Sequence, residues 1–439
     1  MQRIYFQTFG CKANQYDTER MRQELEARGG AASEAWTDAD VCVVNTCTVT
    51  NQADAEARRF IRRVRRENPA IQVVVAGCSA ALRAEEYGRM DGVTGVVKGH
   101  DPVEVAQAVQ PASLVQLGLR RSLDRIDHEP VGGELLRNRT AGTRGWLKVQ
   151  DGCDRKCAFC ATRLARGESR SRPASEVVAE ARLLAQVHPE LVITGIHIGH
   201  YGHDLAERSS LSRLVVQLLE GVPDIRFRLG SVEATEVDDL LLDTIATSGG
   251  RLVPHLHMPL QSGADPVLRR MRRWHTREEY RARTLEIADR LPVLGLGADV
   301  ITGFPGETDE DHAATRSLIE ELPFTYLHVF PFSPRDGTVA AELQREMPVP
   351  ERTAGERSRD LRALVQDKGE AYQTARIGGR ATVVVEKGGK ALTEDYLRVS
   401  APKRKEAAPI MLQSGILRMG DSGLYIDLDS PNSTQTSET

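Results

Sequence analysis

Long hydrophobic runs are missing from this 439-residue chain: none approaches the ~20 apolar residues of a membrane span, and the mean hydropathy is −0.36. On this reading an integral membrane protein is excluded. The opening residues, MQRIYFQTFGCK, lack the basic-then-apolar layout of a secretory signal, so a cytoplasmic chain is expected. An excess of one charge is also lacking. Lys and Arg number 58 against 62 Asp and Glu, a balance of −4, so contact with nucleic acid must come from a local patch. Paired cysteines are the third absence. Seven is an odd count in a chain with no export signal, which argues against a disulfide framework and for metal or redox chemistry.

At ~150 residues per domain, the length predicts about three domains. Residues 1–112 alternate strand and helix as an open parallel α/β sheet of flavodoxin-like type. Ile4–Thr8, Val41–Asn45, Ile71–Ala76 and Val93–Val97 read as strands, with helices over Asn14–Arg28, Gln52–Glu67 and Pro102–Val109. Residues 113–138 hold Pro, Gly and charge with no sustained period and read as a linker. Residues 139–370 carry six strand–helix units, with strands at Trp146–Val149, Leu191–Thr194, Arg226–Leu229, His255–Pro259, Leu296–Ile301 and Leu327–Phe330. A partial (β/α)6 barrel is expected, with its chemistry at the C-terminal ends of the strands. Residues 371–430 hold short strands, Ala381–Glu386, Tyr396–Ser400, Gly415–Arg418 and Leu424–Leu428, separated by turn signals. They predict a small antiparallel β-barrel. The polar tail, 431–439, is expected to be disordered.

The cysteines sort by position. Cys153, Cys157 and Cys160 form a C-x3-C-x2-C run directly after the first barrel strand. Three thiolates in eight residues can wrap one corner of a metal site. Structural zinc and iron–sulfur clusters ordinarily take four protein ligands. No fourth cysteine lies nearby, so one metal position would stay open for chemistry. Cys11, Cys47 and Cys78 each follow a strand of the first domain, so all three leave the sheet at its carboxyl edge, where open α/β sheets bind ligands. They form a second candidate trio. Cys42 lies inside a strand and is expected in the core.

These motifs carry a resemblance. TFGCKANQYDTE (8–19), VVNTCTVT (43–50), AGC (76–78) and the C-x3-C-x2-C run resemble the methylthiotransferases, two-cluster radical S-adenosylmethionine (SAM) enzymes. RGESRSRP (166–173), HLHMPLQSG (255–263), DVITGFPGET (299–308) and HVFPFSPRDGT (328–338) extend it, and LTEDYLRV (392–399) is similar to the RNA-binding TRAM barrel that closes these proteins. GCKANQYDTE and NTCTVTNQAD look like the branch acting on N6-threonylcarbamoyladenosine of tRNA, beside the anticodon. The chain departs from the family at Ala161-Thr162-Arg163, where members commonly carry apolar residues and a proline.

The resemblance implies two 4Fe–4S clusters. Cys153, Cys157 and Cys160 would hold the one whose open iron takes SAM, and Cys11, Cys47 and Cys78 the one that presents sulfur. It further implies SAM contacts at Thr194, Gly195, Ser231, Glu233, Gln261, Ser262 and Gly303. A low-potential electron donor of flavodoxin or ferredoxin type and a tRNA substrate are the implied partners. Arg166, Arg170 and Arg172 are the expected substrate cations, with Arg163 beside them. Arg58, Arg59, Arg62, Arg63, Arg65 and Arg66 make a basic helix available to phosphates. Lys387, Lys390, Arg398, Lys403, Arg404 and Lys405 would serve the terminal barrel. His197, His200, His203, His255 and His257 read as polar lining of the SAM cavity rather than as zinc ligands. Competing readings are methylthiolation of isopentenyladenosine or of a ribosomal-protein aspartate, and a non-catalytic iron–sulfur or zinc module bound to RNA.

Overall fold

The computed structural model of the protein describes residues 1–110, 135–137, 142–403 and 411–429. The expected linker, 113–138, lies outside the described residues except at 135–137, as do the tail 431–439, Arg404, Lys405 and the side chain of Lys387.

The first sheet contains β1 (Arg3–Thr8), β2 (Ala31–Ala32), β3 (Val41–Thr46), β4 (Gln72–Gly77) and β5 (Val93–Val96), all parallel, in the order β2-β1-β3-β4-β5. This is the flavodoxin-like order, whose switch point falls between β1 and β3. VCVVNT in β3 is buried at every position because helices cover both faces. Helix α1 (Lys12–Ala27) follows β1 and α2 (Asn51–Glu67) follows β3. In α2 the buried residues Asp54, Ala57, Ile61 and Val64 fall on one stripe, which turns most of its arginines outward.

The second region opens on β6 (Gly145–Lys148), followed by a short antiparallel ribbon of β7 (Gln150–Asp151) and β8 (Arg170–Ser171). Its remaining strands are β9 (Glu190–Thr194), β10 (Arg226–Leu229), β11 (His255–His257), β12 (Gly295–Thr302) and β13 (Tyr326–Pro331). Parallel pairing runs β6-β9-β10 and β11-β12-β13, and a parallel bridge between Ser231 and His257 joins the halves. The result is the expected six-stranded partial barrel. Helix α1 covers its β6 edge through Trp146 Nε1 donating to Gln15 (3.0 Å) and Lys148 pairing with Asp17 (2.7 Å). The helix Glu351–Arg376 packs along β13, where Arg362 donates to the Val329 carbonyl, and it runs unbroken through residue 370, where the sequence placed a boundary.

The last region closes as a barrel of β14 (Arg380–Val385), β15 (Lys390–Thr393), β16 (Arg398–Ser400), β17 (Leu412–Gly420) and β18 (Gly423–Leu428), in the order β14-β15-β16-β18-β17. Two features differ from the expectation. Closure uses one parallel pairing, Ser400 with Tyr425, among otherwise antiparallel ladders. Tyr396 is not in a strand but in a turn at φ 72°, which drives its ring into the bottom of the larger barrel. Among the described residues no helix is long and apolar enough to cross a membrane.

Candidate active site

Cys11 is the N-cap residue of α1, Cys47 follows β3 and Cys78 opens the short helix after β4. Adjacent strand ends therefore bring the three together. Cys11 and Cys78 each lie 3.7 Å from the same atom, Asn14 Oδ1. Cys47 closes the group over Gly10, where an added Cβ would stand 2.7 Å from its sulfur; only glycine leaves the room. All seven cysteines are free, and Cys42 is fully buried in the core as expected.

The second trio sits on the loop between β7 and the helix Thr162–Arg166. The loop is pinned by Cys153 N donating to Gly167 O (3.1 Å) and Ala158 N donating to Met271 O (2.9 Å). His197 Nδ1 lies 3.6 Å from Cys153 Sγ, and its Nε2 meets Glu236 at 2.9 Å. Arg273 reaches Cys157 Sγ at 3.7 Å. Burial pushes the Cys157 thiol up to about 11, Cys47 to about 11 and Cys78 to about 12. Metal binding must displace these protons.

In neither trio do the three sulfurs all lie within 4.8 Å of one another. One tetrahedral ion with bonds of ~2.3 Å would draw its sulfurs to about 3.8 Å. The wider spread of three thiols, with no fourth cysteine but the core Cys42, fits a multi-iron cluster better than a single zinc ion.

A cavity of about 140 Å³ is lined by sequence neighbours of both trios. Val49 and Thr50, just beyond Cys47, form one wall, and Phe159, beside Cys160, another; Gln261, Asp299, Ile301 and Phe330 complete it. Thr194 is buried at the end of β9, and Gly195 lies so close to Gln150 that a Cβ would meet its carbonyl at 2.8 Å. Ser231 is exposed and bridges to His257. Gln261 adopts φ 66°, which aims its side chain at the cavity while its amide donates to Asp299 O (2.8 Å).

Other expected contacts are not free. Glu233 is paired with Arg273 at 2.5 Å. Ser262 faces away, bonded to Thr315 (3.2 Å). The bare face of Gly303 admits the helix Glu351–Arg376, since a Cβ there would lie 2.3 Å from Ala354. The expectation for the arginines needs the largest correction. Arg166 has no exposed surface: it pairs with Asp17 (2.7 Å) and Asp151 (3.0 Å) and donates to Asn14 (2.8 Å) and to Cys78 Sγ (3.1 Å). Arg172 is enclosed by Glu180 (3.0 Å). Neither can meet a substrate from solvent. Arg170 is half-buried and donates to the Arg166 carbonyl (3.2 Å), while Arg163 stays at the surface near Glu168.

Asn14, Asp17, Lys148, Gln150 and Asp151 do work that the sequence reading missed. Gln150 accepts from the amides of Ile196 (3.1 Å) and His197 (2.8 Å), joining two strand ends. Asn14 and Asp17 had a signal: they stand three and six residues after Cys11 on the same helix face.

Residues 3–99 match the Uncharacterized protein family UPF0004, and residues 147–319 match the Radical SAM superfamily. Fold, thiol loop and match together define the class, a radical SAM enzyme. Threonylcarbamoyladenosine tRNA methylthiotransferase MtaB of Rickettsia prowazekii is 35% identical over 402 residues, covering 90% of each chain. The tRNA-2-methylthio-N(6)-dimethylallyladenosine synthase of Cereibacter sphaeroides is 32% identical, covering 88% of each. The solved radical SAM methyltransferase TsrM from Kitasatospora setae shares the fold at a TM-score of 0.55 and 18% identity, covering 79% of this chain and 78% of that one. The chain belongs to the radical SAM tRNA methylthiotransferases and is a transferase.

Proposed function

We propose that this chain places a methylthio group on C2 of N6-threonylcarbamoyladenosine at position 37 of tRNA. The observation that carries the reading is the pair of cysteine trios gathered at strand ends, with residues next to Cys47 and Cys160 lining one cavity. Cys153, Cys157 and Cys160 would hold a 4Fe–4S cluster whose free iron takes SAM, and Cys11, Cys47 and Cys78 a second cluster. Bound there, the clusters and SAM supply the radical and the sulfur that an unreactive aromatic C–H bond demands.

The chain's own residues position and shield. Asn14 and Arg166 hold the sulfurs of the first domain in place. Gln150 and His197 fix the strand ends under the SAM loop, where Thr194 and Gly195 are the candidates for its methionyl group. Val49, Phe159, Ile301 and Phe330 supply apolar walls against which the substrate base would pack. An electron donor of flavodoxin or ferredoxin type and a cytoplasmic setting belong to the same proposal. The 35% identity to a threonylcarbamoyladenosine enzyme, together with GCKANQYDTE, favours that substrate over the isopentenyl nucleoside.

Cys153→Ala should abolish SAM cleavage, whereas Cys11→Ala should spare cleavage and stop sulfur transfer. Iron analysis should fall by half in either variant. Nucleoside mass spectrometry of a deletion strain should show loss of 2-methylthio-N6-threonylcarbamoyladenosine with its precursor retained. Loss of the methylthio-isopentenyl nucleoside alone would refute the substrate assignment.

A further inference from the structure

His257, Asp299 and His328 occupy one face of three adjacent strands, β11, β12 and β13. Asp299 Oδ1 lies 3.2 Å from His257 Nε2 and 3.2 Å from His328 Nδ1, and all three donor atoms fall within 4.8 Å of one another. Metal–ligand bonds of ~2.0–2.2 Å put neighbouring donors of a tetrahedral or octahedral site about 2.9–3.5 Å apart. Both measured pairs fall in that interval. Two imidazoles and a carboxylate are a donor set that divalent first-row cations accept. An outer shell is present as well. The Tyr326 hydroxyl lies 3.1 Å from His257 Nδ1 and 2.8 Å from His255 Nε2. It can accept the Nδ1–H of His257 and leave the Nε2 lone pair for a metal.

The other cluster of this kind makes the contrast. Asp17, His100 and Asp151 also converge within 4.8 Å, but Lys148 and Arg166 already neutralise them. Among the described residues no Lys or Arg pairs with Asp299, which also lines the cavity beside Val49 and Phe159.

We propose that His257, Asp299 and His328 bind one divalent first-row cation whose free positions face that cavity and take an oxygen donor of the substrate. Resting on the substrate proposed above, that donor is the carboxylate of the threonylcarbamoyl group. Arg166 and Arg172 are enclosed, and the Asp299 carboxylate would repel an unbridged anion in the same space.

The test uses tag-free, fully reconstituted protein, dialysed against Zn2+ under anaerobic conditions. Zinc and iron are then counted per chain in wild type, His328→Ala and Asp299→Ala. His328 is half-exposed, so its truncation should leave the fold intact. One zinc per wild-type chain is expected, with at least tenfold weaker retention in both variants and unchanged iron. Equal retention in His328→Ala and wild type, or no retained zinc, overturns the site. Zinc should also tighten binding of tRNA carrying threonylcarbamoyladenosine but not of tRNA carrying isopentenyladenosine. An equal effect on both overturns the carboxylate as its ligand. Failure of the substrate reading itself would show separately, as a deletion strain that keeps its methylthiolated threonylcarbamoyl nucleoside.

Discussion

Arg166 shows how one residue can be misjudged from its neighbours in sequence. It stands six residues after Cys160 in a run of arginines, which suggested a cation offered to RNA. Instead it is the buried link between the two halves of the site, with Asp17 and Asn14 from the first domain, Asp151 from the second and Cys78 among its partners. Five N–H donors in a planar fork suit this role, and a lysine could not reproduce it. Breaking a buried ion network by removing one partner costs ~3–5 kcal/mol. Lys148 still pairs with both aspartates, so Arg166→Met should fall at the lower end, about 3 kcal/mol, read from the denaturation midpoint. A loss below ~1 kcal/mol, the value of a surface pair, would show that the network is not holding the domains.

At the scale of elements, the lower mouth of the six-stranded barrel is closed by a turn of the terminal barrel. Arg228 donates to the carbonyls of Thr393 (2.8 Å) and Glu394 (2.9 Å), and Arg226 to that of Thr382 (2.7 Å). The Tyr396 ring stacks on His255 with centroids 4.2 Å apart. Glu190 makes this arrangement possible by pairing with both arginines, at 2.6 and 2.9 Å. Burial by itself would raise the Glu190 carboxyl, but Arg226 and Arg228 outweigh it and hold it down at about 2. The folded value lies below the ordinary 4.5, so the carboxylate stabilises the fold above that pH and loses its contribution as pH falls towards 2. Glu190→Gln should therefore flatten the dependence of unfolding free energy on pH between about 5 and 2, a span worth roughly 3 kcal/mol in wild type. An unchanged acid limb would argue against it.

At the scale of the whole molecule, a basic surface lies along α2. Arg59 and Arg62 stand exposed on α2, as do Arg63 and Arg66, which both pair with Glu67, while the less exposed Arg58 and Arg65 pair with Glu86 and Asp91. Arg62, Arg65, Arg66 and Arg89 line one concavity. If this face follows tRNA phosphates, affinity should fall steeply with salt, and Arg62→Ala with Arg66→Ala should each lower the slope of log K against log salt by about 0.7–0.9. SAM cleavage without tRNA should not change. An unaltered slope would place the tRNA elsewhere.

Much of this was legible from the chain alone. Strand periodicity, the glycine and proline stops and the placing of Cys11, Cys47 and Cys78 after successive strands depend on local pattern and on the rule that parallel strands end at one edge. They therefore predicted the flavodoxin-like sheet, the six-strand barrel and both cysteine trios. What the pattern could not hold is partnership across the fold. Whether an arginine is free or enclosed depends on which acids approach it from other elements, and Asp17 lies 149 residues from Arg166. Tyr396 was read as the first residue of a strand, yet it sits in a turn at positive φ with its ring stacked on His255 of another barrel, a contact the local pattern does not carry. His257, Asp299 and His328 are separate motifs in the sequence and become neighbours only when three parallel strands set their registers side by side. Local sequence determined the elements and the thiols; long-range packing, through charge pairing and register, decided which polar groups are spent on holding the molecule together and which are left to face the cavity.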